Sequence, residues 1–85
     1  RIAPRLHQLL QTIKQEIIEG NHDLKSLESH AITDLIEAGF KPDYLQIYQR
    51  SELRPATEND KEIIILAAAF LGSTRLIDNI YVNRS

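Results

Sequence analysis

The chain contains no cysteine, so neither a disulfide framework nor a thiolate metal site is available to it. It lacks anything resembling a signal peptide, and no apolar run is long enough to span a bilayer. The default expectation is a cytoplasmic address with no membrane partner. Neither sign of charge dominates. Ten Lys and Arg stand against twelve Asp and Glu, for a formal charge of −2. The basic residues are scattered rather than gathered into a stripe that could track phosphates, so no nucleic acid is expected to bind. Glycine is scarce: Gly20, Gly39 and Gly72 are isolated, each with a helix-end or turn role, and no glycine-rich loop offers a cradle for phosphate. No methionine precedes Arg1, as in a processed protein or an excised piece of a longer one.

What is present suits one domain. A chain of 85 residues hides roughly 60–65% of the surface its unfolded form exposes, enough for one core and not two. With 42% hydrophobic and 26% charged residues, it lies inside the composition range of chains that fold. Leu6, Leu9, Leu10, Ile13 and Ile17 recur at three- and four-residue intervals, which predicts a helix over about 4–19, opened by Pro4 and closed by Gly20-Asn21. Asp23 is placed to cap a second helix over about 24–38, with Leu24, Leu27, Ala31, Leu35 and Ala38 buried and Ile32 and Ile36 widening the stripe. Gly39-Phe40 reads as a Schellman-type end, with Phe40 folding back on the last turn and Pro42 barring continuation.

Beyond Lys41-Pro42-Asp43 the period changes. Tyr44-Leu45-Gln46-Ile47-Tyr48 alternates as a strand does, and a first strand is predicted over about 43–49. Residues 51–60 hold Pro55, Asn59 and several charges and read as a connecting loop. Ile63 to Leu71 is apolar on both faces, so periodicity alone leaves strand and buried helix open. The β-branched start and the following Gly72-Ser73 favour a hairpin, with strands over about 62–71 and 74–82. The expected fold is therefore α+β, with two N-terminal helices packed on one face of a three-stranded antiparallel sheet. The other face carries Tyr44, Tyr48, half of the Ile63–Leu71 run and Tyr81, which is too apolar for free water and implies self-association, such as a homodimer, or docking on a partner.

Little in the chain reads as catalytic. His7, His22 and His30 have none of the short spacings of a zinc site and are assigned to helix edges and surface. No serine sits in a G-x-S-x-G elbow. The carboxylate pairs Asp23 with Glu28 and Asp60 with Glu62 read as solvated surface groups. The segment that resists this is Gly72 to Asn79. Strand alternation places Asp78 in the apolar row of Leu76 and Ile80, where a carboxylate must be paired or at a boundary, and puts Arg75 and Asn79 on the opposite face. No catalytic, cofactor-binding or metal residue is assigned. Arg75, Asp78 and Asn79 are the candidates for inter-domain or hairpin-fixing contacts.

Four segments in order, Asp43-Tyr44-Leu45-Gln46-Ile47, Glu52-Leu53-Arg54-Pro55-Ala56, Leu66 to Gly72, and Thr74-Arg75-Leu76-Ile77-Asp78-Asn79, resemble the C-terminal domain of the pantothenate synthetases, or pantoate–β-alanine ligases. Arg1-Ile2-Ala3-Pro4 also looks like the family's first helix after its inter-domain linker, while Gln46 and Tyr48 depart from the more charged strand expected there. The resemblance implies an ATP-dependent, AMP-forming ligase condensing pantoate with β-alanine through a pantoyl adenylate, assisted by Mg2+. ATP and pantoate would bind a Rossmann-like N-terminal domain carrying a His-x-Gly-His motif. That catalytic domain is the implied partner, over which this chain would lie as a lid without chemistry of its own, single over residues 1–85. The alternative expectation is a non-catalytic interaction or dimerisation module.

Overall fold

The computed structural model describes residues 3–84. Two helices, α1 (Ala3–Ile18) and α2 (Leu24–Glu37), precede β1 (Lys41–Gln49), β2 (Arg54–Pro55), β3 (Glu62–Leu71) and β4 (Thr74–Asn83). The strands form one antiparallel sheet in the order β2-β1-β3-β4. The fold is α+β. The sheet has four strands rather than the expected three, because Arg54-Pro55, inside the expected loop, pairs with Gln49 and Tyr48. A two-residue strand is too short to show a period, and Pro55 is tolerated there because β2 is an edge.

The helix ends follow local chemistry. The Asp23 side chain accepts from the Ser26 amide at 3.2 Å and caps α2. At its other end the Phe40 amide reaches the Leu35 carbonyl and the Gly39 amide the Ile36 carbonyl, a Schellman closure that leaves Phe40 buried. Asn21 and Gly20 close α1 in the same way on Glu16 and Ile17. Strand β1 starts two residues earlier than the period suggests. Pro42 sits at its beginning, beside a register shift between Pro42 and Tyr44 that leaves Asp43 bulged.

One core joins the layers. Leu6, Leu10, Ile13 and Ile17 from α1 and Leu24, Leu27, Ala31 and Leu35 from α2 meet Leu45, Ile47, Ile63, Ile65, Ala67, Ala69 and Val82 from the sheet. Helix α1 lies against β4 and α2 against β1. The expected width of the α2 stripe is corrected: Ile36 is 58% exposed and Ala38 only half-buried. Ile36 falls one residue past Leu35, about 100° round the helix and away from the sheet. The long apolar run is a strand, and its alternate residues Ile63, Ile65, Ala67 and Ala69 are the ones that enter this core.

Candidate functional site

The sheet face away from the core is built from rows set by the strand register. Tyr48, Ile64 and Tyr81 lie side by side, as do Tyr44, Ala68 and Ile77. This arrangement shields the central strand without a covering layer: Ile64 is 8% exposed and Ala68 fully buried. The outer residues carry the exposure, Ile77 at 63% and Tyr81 at 54%. Cations mark two ends of the platform. Arg50 lies 5.1 Å from the centre of the Tyr81 ring, a cation–π distance, and approaches Glu62 at 3.5 Å. Arg75 donates through Nε and Nη2 to one oxygen of Asp43, at 3.1 and 2.9 Å.

The structure distributes Arg75, Asp78 and Asn79 as strand alternation requires. Arg75 reaches across β3 to the bulged Asp43, bracing β4 against β1. Asp78 lies on the helix side, half-buried, and accepts from His7 Nδ1 on α1 at 2.9 Å. Its second oxygen accepts the neighbouring Asn79 amide at 2.8 Å. Asp78 thus ties α1 to β4. Asn79 is exposed on the open face. His7 therefore has a specific partner, which no short spacing could have indicated because its mate is 71 residues away, whereas His22 and His30 are exposed.

Two carboxylates expected to be solvated are engaged, which corrects that reading. Glu28 on α2 accepts the Ile47 amide of β1 at 2.8 Å, at the point where β2 has ended. Its position one turn beyond Leu24, beside the buried stripe, was the available signal. Asp60 receives Arg54 through both terminal nitrogens at 2.9 Å, the Thr57 amide at 2.8 Å and the Thr57 hydroxyl at 3.1 Å. Glu52 holds Arg54 Nε at 3.0 Å. Arg54, then the Thr57 amide, keep the Asp60 carboxyl well below the usual carboxylate range, and Asp60 and Glu52 push the Arg54 guanidinium above its own. Arg84 closes the loop from the end of the chain, donating to the carbonyls of Thr57, Glu58 and Asp60. Inside this loop Leu53 adopts a left-handed φ of 53°, with its amide on the Gln49 carbonyl.

What this arrangement offers is a surface. Among the described residues no three His, Cys, Asp or Glu side chains converge in a way that could hold a metal. Asp43, Asp60 and Asp78 are each taken by a cation or a histidine, so these three carboxylates do not fit as Mg2+ ligands. A shallow cleft of about 170 Å³ lies between α2 and the β1–β2 edge, bordered by Leu24, Lys25, Tyr48 and Pro55. No described helix is long and apolar enough to cross a membrane.

The pattern of the family described as Pantoate-beta-alanine ligase matches residues 1–81. A pantothenate synthetase of Pseudomonas putida is 44% identical over 81 residues, covering 95% of this chain and 28% of its own. Those of Hahella chejuensis and Pseudomonas fluorescens are 47% and 46% identical over 95% and 96% of this chain, each covering 29% of the relative. The chain thus spans less than a third of the length of these curated relatives.

Proposed function

Because this chain belongs to the pantoate–β-alanine ligase family, we propose that it is the C-terminal lid domain of an ATP-dependent, AMP-forming ligase. That ligase, acting in the cytoplasm, would join pantoate to β-alanine, with catalysis carried by a separate N-terminal domain. The observation that carries this reading is the open sheet face. A braced antiparallel platform presents Ile77 and Tyr81 to solvent, flanked by Arg50 and Arg75, while its acidic and basic groups pair with one another. Such a surface is suited to covering a site rather than to performing chemistry.

A cover of this kind has a physical purpose. An acyl adenylate is a mixed anhydride that water hydrolyses, and closing the site excludes water and strengthens the electrostatic contacts within it. Rigidity helps the lid act as one body, and the Arg75–Asp43 brace and the Arg54–Asp60–Arg84 loop supply it.

Two assays test the reading. The 85-residue chain alone is expected to give no pantoate-dependent exchange of pyrophosphate into ATP; exchange by the pure chain would overturn the assignment of chemistry elsewhere. In the full-length enzyme, Tyr81→Ala with Ile77→Ala is expected to release AMP in excess of pantothenate, as a leaking lid lets water take the adenylate. Unchanged coupling would remove the sheet face from the lid. A module for self-association is the second reading, favoured by the same exposed pair, and predicts that those two substitutions alter association and leave coupling intact.

A further inference from the structure

The two edges of the sheet are defended unequally. On the β2 side the edge strand is two residues long and contains Pro55, and the β1 amide left beyond it, Ile47, is held by Glu28. Short edge strands, proline and carboxylates on free amides all discourage a further strand from adding. Strand β4 on the other side is ten residues long, with neither lysine nor proline and no register shift against β3. Leu71 pairs with Thr74 across a two-residue loop. The ladder alternation then directs the backbone amides of Thr74, Leu76, Asp78, Ile80 and Val82 toward β3, and those of Arg75, Ile77, Asn79, Tyr81 and Asn83 outward. Asn79 is the middle one of the outward set. Its amide is the one taken by the Asp78 carboxylate at 2.8 Å.

We propose that Asp78 is an edge guard: its carboxylate keeps β4 from pairing with β4 of a second copy of the chain. The occupant follows from the register. A two-fold antiparallel pairing centred on Asn79 matches outward residues with outward residues. It sets Ile77 against Tyr81 of the second copy, covering the two exposed apolar side chains of β4, and Leu76 against Val82. The mismatch in this otherwise compatible row is Asp78, which would face Ile80 of the second copy. The carboxylate opposes pairing twice, by occupying the central amide and by placing a charge against an apolar neighbour. His7 bonds the other carboxylate oxygen, and the guard, which uses the oxygen on the Asn79 amide, does not need that contact. This inference does not depend on the lid reading.

The test compares the wild-type chain, Asp78→Ala, His7→Ala and Asp78→Ala with Asn79→Pro by sedimentation velocity over a micromolar to millimolar series, each variant checked for fold by circular dichroism. Asp78→Ala is expected to self-associate roughly tenfold or more tightly than wild type. Adding Asn79→Pro, which deletes the outward amide without touching the β3 ladder, is expected to restore the wild-type value. His7→Ala is expected to associate as wild type. The proposal is overturned if folded Asp78→Ala associates no more than wild type. It is also overturned if the proline leaves the association in place, which would assign it to the open face, or if His7→Ala associates as strongly as Asp78→Ala, which would assign it to loosening of α1. Should Asp78→Ala fail to fold, Asp78→Asn carries the same comparison for the charge alone, with wild-type-like association overturning the role of the charge.

Discussion

Glu28, Asp60 and Asp78 each direct an oxygen at a backbone amide, of Ile47, Thr57 and Asn79, that no strand or helix partner takes. Unpaired amides are costly to cover, so these carboxylates do structural work that their charge alone does not suggest. Asp60 has the most partners, and its carboxyl is held well below the usual range by Arg54 and then by the Thr57 amide. A carboxyl lowered in the folded state stabilises the fold above its unfolded value near 4 and loses that contribution as pH falls through the folded value. Asp60→Asn is therefore expected to melt below wild type at neutral pH. The gap in Tm should shrink as pH drops below about 4; a gap independent of pH would show that the carboxylate charge does not matter. From sequence Asp60 reads as a solvated loop residue, because its partners are a side chain six residues away and a loop amide, and neither leaves a periodic trace.

The elements themselves were largely legible. Leucines and isoleucines at helical spacing marked both helices, and the Asp23 cap and the Gly39-Phe40 end lie where local chemistry placed them. The hairpin rested on Gly72-Ser73, and Gly72 has a φ of +64° at the first loop position. An added Cβ there would meet nothing within 4 Å, so any cost of substitution is conformational rather than steric contact with neighbours. Gly72→Ala is expected to lower stability by about 1–2 kcal/mol, the cost of a left-handed backbone for a residue with a side chain. Urea denaturation reads it, and a neutral result would mean that the turn relaxes to another type. Strand β2 escaped because two residues carry no alternation, and the exposure of Ile36 escaped because an apolar residue beside a stripe looks like part of it.

For the whole molecule, Ile65 is the place where the layers meet. It is fully buried in the central strand, paired with Ile47 and Ile80. Ile65→Ala is expected to cost about 2–5 kcal/mol through lost burial and the cavity left behind. Helix ellipticity and tyrosine fluorescence should shift their midpoints together, because both layers share that core. Separate midpoints would mean that helices and sheet do not unfold as one unit. The same central strand explains why the open face survives in water: the flanking tyrosines and Ile77 cover the middle of β3, moving the exposed apolar surface to the outer strand.

Periodicity, capping residues and turn glycines determined the two helices, the long strands and the hairpin, because each of these depends on neighbours within a few residues. The same alternation was enough to put Asp78 on one face of β4 and Arg75 with Asn79 on the other. The tertiary structure decided what those residues touch: His7 for Asp78, the bulged Asp43 for Arg75, Ile47 for Glu28. Such pairings link positions 19 to 71 residues apart, and their geometry exists only once the strand order β2-β1-β3-β4 and the helix placement bring the partners together. No local rule in the chain encodes that distance.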